Sequence, residues 1–398
     1  MRDFLPVRRV YMDANATTPL LPEVLDALRP YFTDRFGNAS SVHSFGQQTR
    51  SAVEQARLSV AALLHCRPAE VVFTSGGTES DNLALFGATR PGDHILTTAI
   101  EHHAVLHAAE HLALHGREVT ILPCDANGVV TAESVRNALR PNTRLISVML
   151  ANNETGAMQP VEAIAKIAAA AGALLHTDAV QAASKLPLDV TALGCHLLSF
   201  SGHKIHAPQG VGVLFVRKDV KIEPLFHGGT HERQRRAGTE NVAGIVGLGK
   251  AAEIARTGLT DGSVARIAAL RDRLEREILT RVDQSGVHSG TVARVPNTTN
   301  LWFDHLEGEA LVIALDLKGL AISGGSACAS GASEPSHVLT AMGIPAARAR
   351  ASLRFSLSKL TTEQDVDFAI QLVPQAIAHL RELSPVYQKP QASVPVAS

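Results

Sequence analysis

From Val71 to Val216, short apolar runs rich in β-branched residues alternate with segments of helical period. The pattern predicts strands at Val71–Thr74, His94–Thr97, Glu118–Leu122, Leu145–Met149, Leu174–Asp178, His196–Phe200 and Gly212–Val216. Between them, Val161–Ala171 carries Ile164, Ile167, Ala168 and Ala171 at i, i+3, i+4 and i+7, the apolar face of a helix. Alternating strand and helix implies an α/β fold with a mostly parallel sheet covered by helices. Such sheets bind ligands outside the carboxyl ends of their strands. The character changes near Ala255. Val264–Ile278 reads as a charged amphipathic helix, followed by Asn300–Phe303, an apolar helix at Glu309–Leu317 and a Gly/Ser/Ala stretch from Ser323 to Ser333. The expected organisation is a large domain over 15–255 and a smaller α+β domain built from 1–14 and 256–383. The tail from Ser384, with Pro385, Pro390 and Pro395, is expected to be disordered.

Composition narrows the function classes. The 398 residues include 37 Lys+Arg and 38 Asp+Glu, a formal net charge of −1, so no positive surplus exists to hold a polyanion and nucleic acid is excluded as the main partner. Cys66, Cys124, Cys195 and Cys328 show no CxxC pair and no metal-ligand spacing. Free thiols in a reducing compartment follow. The longest apolar run of the alanine-rich centre, Ile167–Leu175, is far short of a bilayer span, and no signal peptide is read at the N-terminus. The expectation is a soluble cytoplasmic protein with no membrane partner.

Candidate chemistry stands just after the strands. Thr74-Ser75-Gly76-Gly77-Thr78-Glu79-Ser80 precedes a helical pattern expected from about Asp81. Two glycines and a helix start suit an anion such as phosphate, and a plain helix cap is an equal reading. Leu174–Asp178 ends a buried strand in an acid, with Gln181 three residues on; Asp178 could cap a helix or hold a protonated ring nitrogen. Ser201-Gly202-His203-Lys204 places a lysine at an apolar strand end, either a surface residue or an amine able to form a Schiff base. A phosphate seat, an acid for a pyridinium nitrogen and a Schiff-base lysine are together the parts that pyridoxal phosphate requires.

At these motifs the sequence resembles cysteine desulfurases of the NifS/IscS group, fold-type-I pyridoxal phosphate enzymes. The matching stretches include Tyr11–Pro19, Thr74–Asn82, Glu101-His102, Asn152–Gly156, His176–Gln181, Ser201–Lys204, Arg236–Asn241, Gly325–Cys328 and Arg354–Leu357. The resemblance implies a seven-stranded large domain and pyridoxal 5'-phosphate bound through Lys204. It implies that Asp178 pairs with the ring nitrogen and Gln181 with the phenolic oxygen. Gly77, Thr78, Ser201 and His203 would hold the phosphate, joined by Thr239 from the other subunit of a homodimer. His102 would stack on the ring and move protons. Asn153 would contact cofactor and substrate, and Asn153 with Arg354 would hold the substrate carboxylate. Cys328 would be the nucleophile that turns L-cysteine into L-alanine and an enzyme persulfide. An iron–sulfur scaffold protein of the NifU/IscU kind would accept the sulfur, with only transient contact between Cys328 and a nascent cluster and no resident metal. His206-Ala207-Pro208, Gly228-Gly229 and Glu334–His337 lie nearer the nitrogen-fixation branch, where nitrogenase maturation is a destination for the sulfur. The family's Gly-Asn-Pro-Ser-Ser is Gly37-Asn38-Ala39-Ser40-Ser41 here, a lost proline but no lost functional group.

Local sequence supports Cys328 independently. Its neighbours are Gly, Ser and Ala, without core-forming bulk, whereas Cys66, Cys124 and Cys195 adjoin apolar helices or strands and read as structural. His103, His107, His111 and His115 form an i, i+4 ladder, read as a solvated helix face rather than a metal site. The rival activities are a selenocysteine lyase or another fold-type-I lyase or aminotransferase; an aminotransferase has no need of Cys328.

Overall fold

The computed structural model describes residues 8–324 and 335–383. All seven predicted strands of the central region form one sheet. Its order by first residue is Val71–Thr74, Gly212–Val216, Leu197–Ser201, Leu174–Asp178, Thr143–Ser147, His94–Thr98 and Glu118–Leu122. The pairs from Leu197–Ser201 through to Glu118–Leu122 are parallel; Gly212–Val216 runs antiparallel to both its neighbours. Three strands differ from the expected bounds, His94–Thr98 only by one added residue at its end. Thr143–Ser147 begins and ends two residues before the apolar run, because Thr143 pairs with His94 in the ladder and bonds its ring. Val148 and Leu150 leave that strand but still donate backbone N–H groups to His176 and Asp178, so the chain stays buried beyond it. Leu197–Ser201 is displaced by one residue from the predicted strand.

Strand period explains the two cores on this sheet. Leu96, Ile146, Leu198 and Val213 face one layer of helices, while their neighbours Ile95, Leu145, Leu197 and Leu214 face the other. Both faces are covered, so the strands are apolar throughout. Helix Val161–Ala171 forms as predicted and stops at Gly172, whose φ of 67° suits a residue without Cβ.

A third core gathers elsewhere. Helices Ser263–Arg281 and Glu363–Leu383 cover a four-stranded sheet that includes Thr298–Phe303 and Ser352–Ser356, burying Leu274, Ile278, Phe303, Leu353, Phe355 and Val373. Val10 and Met12 join this core, and Val10–Tyr11 pairs in parallel with Leu320–Ala321. The chain then crosses towards the large sheet. The Ala14 N–H donates to the Ser356 carbonyl, and the Thr18 N–H donates to the His203 carbonyl. Residues 14–18 thus bridge the two sheets. Among the described residues, no helix is long and apolar enough to cross a membrane.

Candidate active site

The parallel strands end on one side of the large sheet, where a cleft of about 310 Å³ opens. Gly77, Thr78, His102, Asn153, Asp178, Gln181, Ser201, His203, Lys204 and Arg354, all singled out in the sequence, line it. Thr239, expected from a second subunit, is exposed and does not line the cleft of this chain. Cys328 and the Gly325–Ser333 part of its loop lie outside the described residues.

The glycine loop is tighter than expected. The helix starts at Gly77, not near Asp81, so the Gly77 and Thr78 amides belong to its first turn and need partners from outside the helix. Glu79 secures the turn by accepting the Ser75 N–H at 2.8 Å, and Thr74 Oγ1 meets Ser80 Oγ at 2.7 Å. Glycine is required here by space. A Cβ on Gly77 would stand 2.9 Å from a Val180 methyl, and one on Gly212 would stand 2.6 Å from the Gly76 backbone. Ser201 and His203 flank this loop from the end of strand Leu197–Ser201, which is one strand removed in the sheet. Burial and the nearby Lys204 push the His203 ring down to about 4, so it is neutral near pH 7.

Asp178 is buried at the end of its strand, and its Oδ1 accepts the Val180 N–H at 2.8 Å in a turn rather than at a helix start. Burial raises its pKa, against the stabilising charge of Lys204. Beneath it lies Asp81, 1% exposed, 3.6 Å from the ring of His176. His176 is held between Ser147 Oγ and Ser199 Oγ, and burial drives its pKa to about 3. Burial and the charge of Asp178 push Asp81 strongly upward, the neutral acid being favoured.

Lys204 follows the strand in a short 3-10 turn, Gly202–Lys204. Its Nζ donates to the carbonyl oxygens of Asn15 at 2.5 Å and Ala16 at 2.6 Å. The bridge segment 14–18 therefore seats the lysine. His102 caps the helix His103–Leu114, its Nδ1 accepting the Ala104 N–H at 3.1 Å. That bond fixes the tautomer: in the neutral ring the proton sits on Nε2. Burial first, then Lys204 and neighbouring histidines, lowers its pKa to about 4. Arg354 reaches the cleft from the smaller sheet, donating to Asn153 O at 3.0 Å and Asp13 Oδ1 at 2.7 Å.

The histidine ladder lies along the outer side of its helix, with His107, His111 and His115 exposed. His103 stacks on His107 with centroids 4.8 Å apart and meets His337 at 4.5 Å. Cys195 is buried, and Cys66 and Cys124 are half-buried.

Sequence reasoning missed Asn15, Asp13, Asp81 and Lys185. The first three lie within motifs that match the family, but each contributes through contacts made far along the chain.

The cleft fits pyridoxal phosphate. Helix-start amides and neutral donors stand together at a glycine turn, and a buried acid and a lysine face the same space. Among the described residues, the buried atoms Asp81 Oδ1, Asn153 Oδ1 and Arg354 Nε have no hydrogen-bond partner, and all three residues line the cleft. Orphaned polar atoms of this kind mark a place where a polar ligand completes the bonding.

Comparison with known proteins agrees. The model of the Aminotransferase class-V family matches residues 10–368. The chain is 44% identical to "Cysteine desulfurase IscS" of Dictyoglomus turgidum, over 96% of this chain and 98% of that one. It is 46% identical to "Cysteine desulfurase NifS" of Azotobacter vinelandii, over 95% of each. A solved structure titled "NIFS-like protein" superposes with a TM-score of 0.87 at 36% identity, covering 94% of this chain and all of that one. Gathered around Lys204 and matched over almost its whole length, the chain belongs to the class-V aminotransferase family of pyridoxal phosphate enzymes, in its cysteine desulfurase group.

Proposed function

We propose that this protein converts L-cysteine to L-alanine and takes the sulfur onto Cys328 as a persulfide, for delivery to an iron–sulfur scaffold protein. One observation supports the reading above the rest: residues from motifs spread between Gly77 and Arg354 line a single cleft with Lys204. When bound, pyridoxal phosphate supplies an electron sink that loosens the substrate's Cα proton and opens its sulfur to attack. Lys204 would hold the cofactor through Nζ, and Asp178 would stabilise its protonated ring nitrogen. Gln181 donates to the phenolic oxygen. The Gly77 and Thr78 amides, Ser201 and His203 hold the phosphate, with Thr239 of the partner subunit completing it in a homodimer.

His102, neutral near pH 7 and with Nδ1 already bonded, would face the cofactor with its Nε2 side free to move protons. Asn153 and Arg354 hold the substrate carboxylate, for which a guanidinium fork is suited. The Cys328 thiolate attacks the substrate sulfur. A sulfur–sulfur bond forms, the Cβ–S bond breaks, and the electron pair left on carbon takes a proton to become the alanine methyl group. Atoms and electrons balance without an outside oxidant or reductant.

Relatives of both branches match similarly: 47% for "Cysteine desulfurase IscS" of Methanosarcina thermophila and 46% for the A. vinelandii NifS. The variants His206-Ala207-Pro208 and Gly228-Gly229 favour the nitrogen-fixation branch. The test is direct. Purified protein given L-cysteine and a thiol reductant should release alanine and sulfide in equal amounts. Alanine from selenocysteine alone would favour the lyase, and turnover dependent on an added 2-oxo acid would favour an aminotransferase.

A further inference from the structure

Lys185 is only 8% exposed, yet its described partners are amide oxygens rather than a carboxylate. Its Nζ donates to Gln181 Oε1 at 2.8 Å and to Asn15 Oδ1 at 3.3 Å. A lysine enclosed in this way is costly unless its donors do something specific. Burial drives its pKa far down, with the charges of Lys204 and Arg354 adding to the effect, and the ring of His206 also lies within its field. Charged or neutral, the amine still has hydrogens to donate to both oxygens.

The consequence falls on Gln181. A side-chain amide has one end that accepts and one that donates, and only its neighbours decide which way it points. Here both neighbours vote the same way. Lys185 supplies a donor at Oε1, while the Asn15 backbone carbonyl, which only accepts, takes the Nε2 hydrogen at 3.0 Å. Nε2 has two hydrogens, so one remains. Gln181 lines the cleft, and its second Nε2 hydrogen is a donor available there. A carbonyl turned to the same place would repel an anionic oxygen. The same Asn15 carbonyl also receives Lys204. Lys185, Gln181, Asn15 and Lys204 thus form one connected network beneath the site.

We infer that Lys185 is a positioning residue that locks the Gln181 amide with its N–H towards the cofactor's phenolic oxygen. This rests on the assignment of Gln181 to that oxygen in the proposed function. A donor held against the oxygen draws negative charge from it and weakens its hold on the adjacent proton. The readout is the pH midpoint at which the visible band of the bound cofactor changes form, measured on each holoenzyme.

Gln181→Leu and Lys185→Met should each raise the midpoint by about one pH unit, the size expected for one lost hydrogen bond. The double variant should move no further than the larger single one, because both remove the same contact. Lys185→Arg, which keeps donors and has an adjoining cavity of about 60 Å³ to enter, should stay near wild type. It also keeps the test alive if the methionine variant does not fold. A midpoint unmoved by Gln181→Leu overturns both the Gln181 assignment and the role of Lys185. If Gln181→Leu moves it, either full additivity in the double variant or a Lys185→Arg shift as large as that of Gln181→Leu overturns the role of Lys185 alone.

Discussion

Arg354 donates from Nη2 to Asp13 Oδ1 at 2.7 Å, joining residues 341 positions apart in the chain. The same guanidinium bonds the Asn153 carbonyl, so the fork is held from two sides before any substrate arrives. A pre-oriented arginine loses less entropy when it takes up a carboxylate. Asp13→Asn weakens that hold while leaving Arg354 in place. We expect KM for cysteine to rise about tenfold with kcat nearly unchanged, and Arg354→Ala to raise KM more, by roughly 1.5–3 kcal/mol of lost charge-assisted bonding. Steady-state alanine release checks both; a fall in kcat at constant KM for Asp13→Asn would contradict the positioning role.

Gly212 tests the phosphate seat from behind. Its Cβ would press on the backbone of Gly76, which no side-chain movement relieves. Gly212→Ala should displace the Gly76-Gly77 turn, cost about 1–3 kcal/mol in stability and weaken cofactor binding. Thermal melting and cofactor titration of the variant measure the two effects. Unchanged cofactor affinity would mean that the turn is not the seat.

Glu101 gives a pH dependence. Its Oε1 accepts the Met149 N–H and the Thr98 hydroxyl, Oε2 has no partner among the described residues, and burial raises its pKa from 4.5 to about 8. Between those values the folded chain binds more protons than the unfolded chain, so stability falls as pH rises through that window. Glu101→Gln removes the exchange. The cofactor-free variant should melt higher than wild type at pH 8.5, by about 1–3 kcal/mol, and the two should converge near pH 4. Melting curves at both pH values decide it; an equal gap at both would place the effect elsewhere.

The sulfur-carrying step predicts selective thiol reactivity. Burial pushes the Cys66 and Cys195 thiols up to about 12 and raises Cys124 as well. All three are thiols, not thiolates, near neutral pH, and react slowly. A short exposure to iodoacetamide at pH 7.5 should modify Cys328 and spare the others, read by peptide mass spectrometry. Preferential labelling of Cys66, Cys124 or Cys195 would count against Cys328 as the nucleophile.

The central sheet was legible because its strands are buried on both faces, which leaves nearly unbroken apolar runs. Asp178 and Lys204 were legible for the related reason that a charge interrupts such a run where a parallel sheet opens to ligand. The start of the glycine-loop helix was not, since glycine disfavours helix interiors and the reason for Gly77 is the Val180 methyl across the turn. Asp13, Asn15 and Lys185 were hidden differently. Lys185 looks like a solvated helix lysine until Asn15, 170 residues earlier, is folded against it. Polar networks closed by long-range contacts leave no periodic trace in sequence.

In the proposed reaction Lys204 and Cys328 act on cysteine through one cofactor. The decisive measurement compares wild type, Lys204→Ala and Cys328→Ala, each incubated with L-cysteine, for alanine formed and for added sulfur on each cysteine peptide. Wild type should form alanine and carry the extra sulfur on the Cys328 peptide. Lys204→Ala should lose the yellow absorbance and form no alanine, and Cys328→Ala should stay yellow and form essentially none. Alanine release by either variant at the wild-type rate, or persulfide found mainly on Cys66, Cys124 or Cys195, would contradict it.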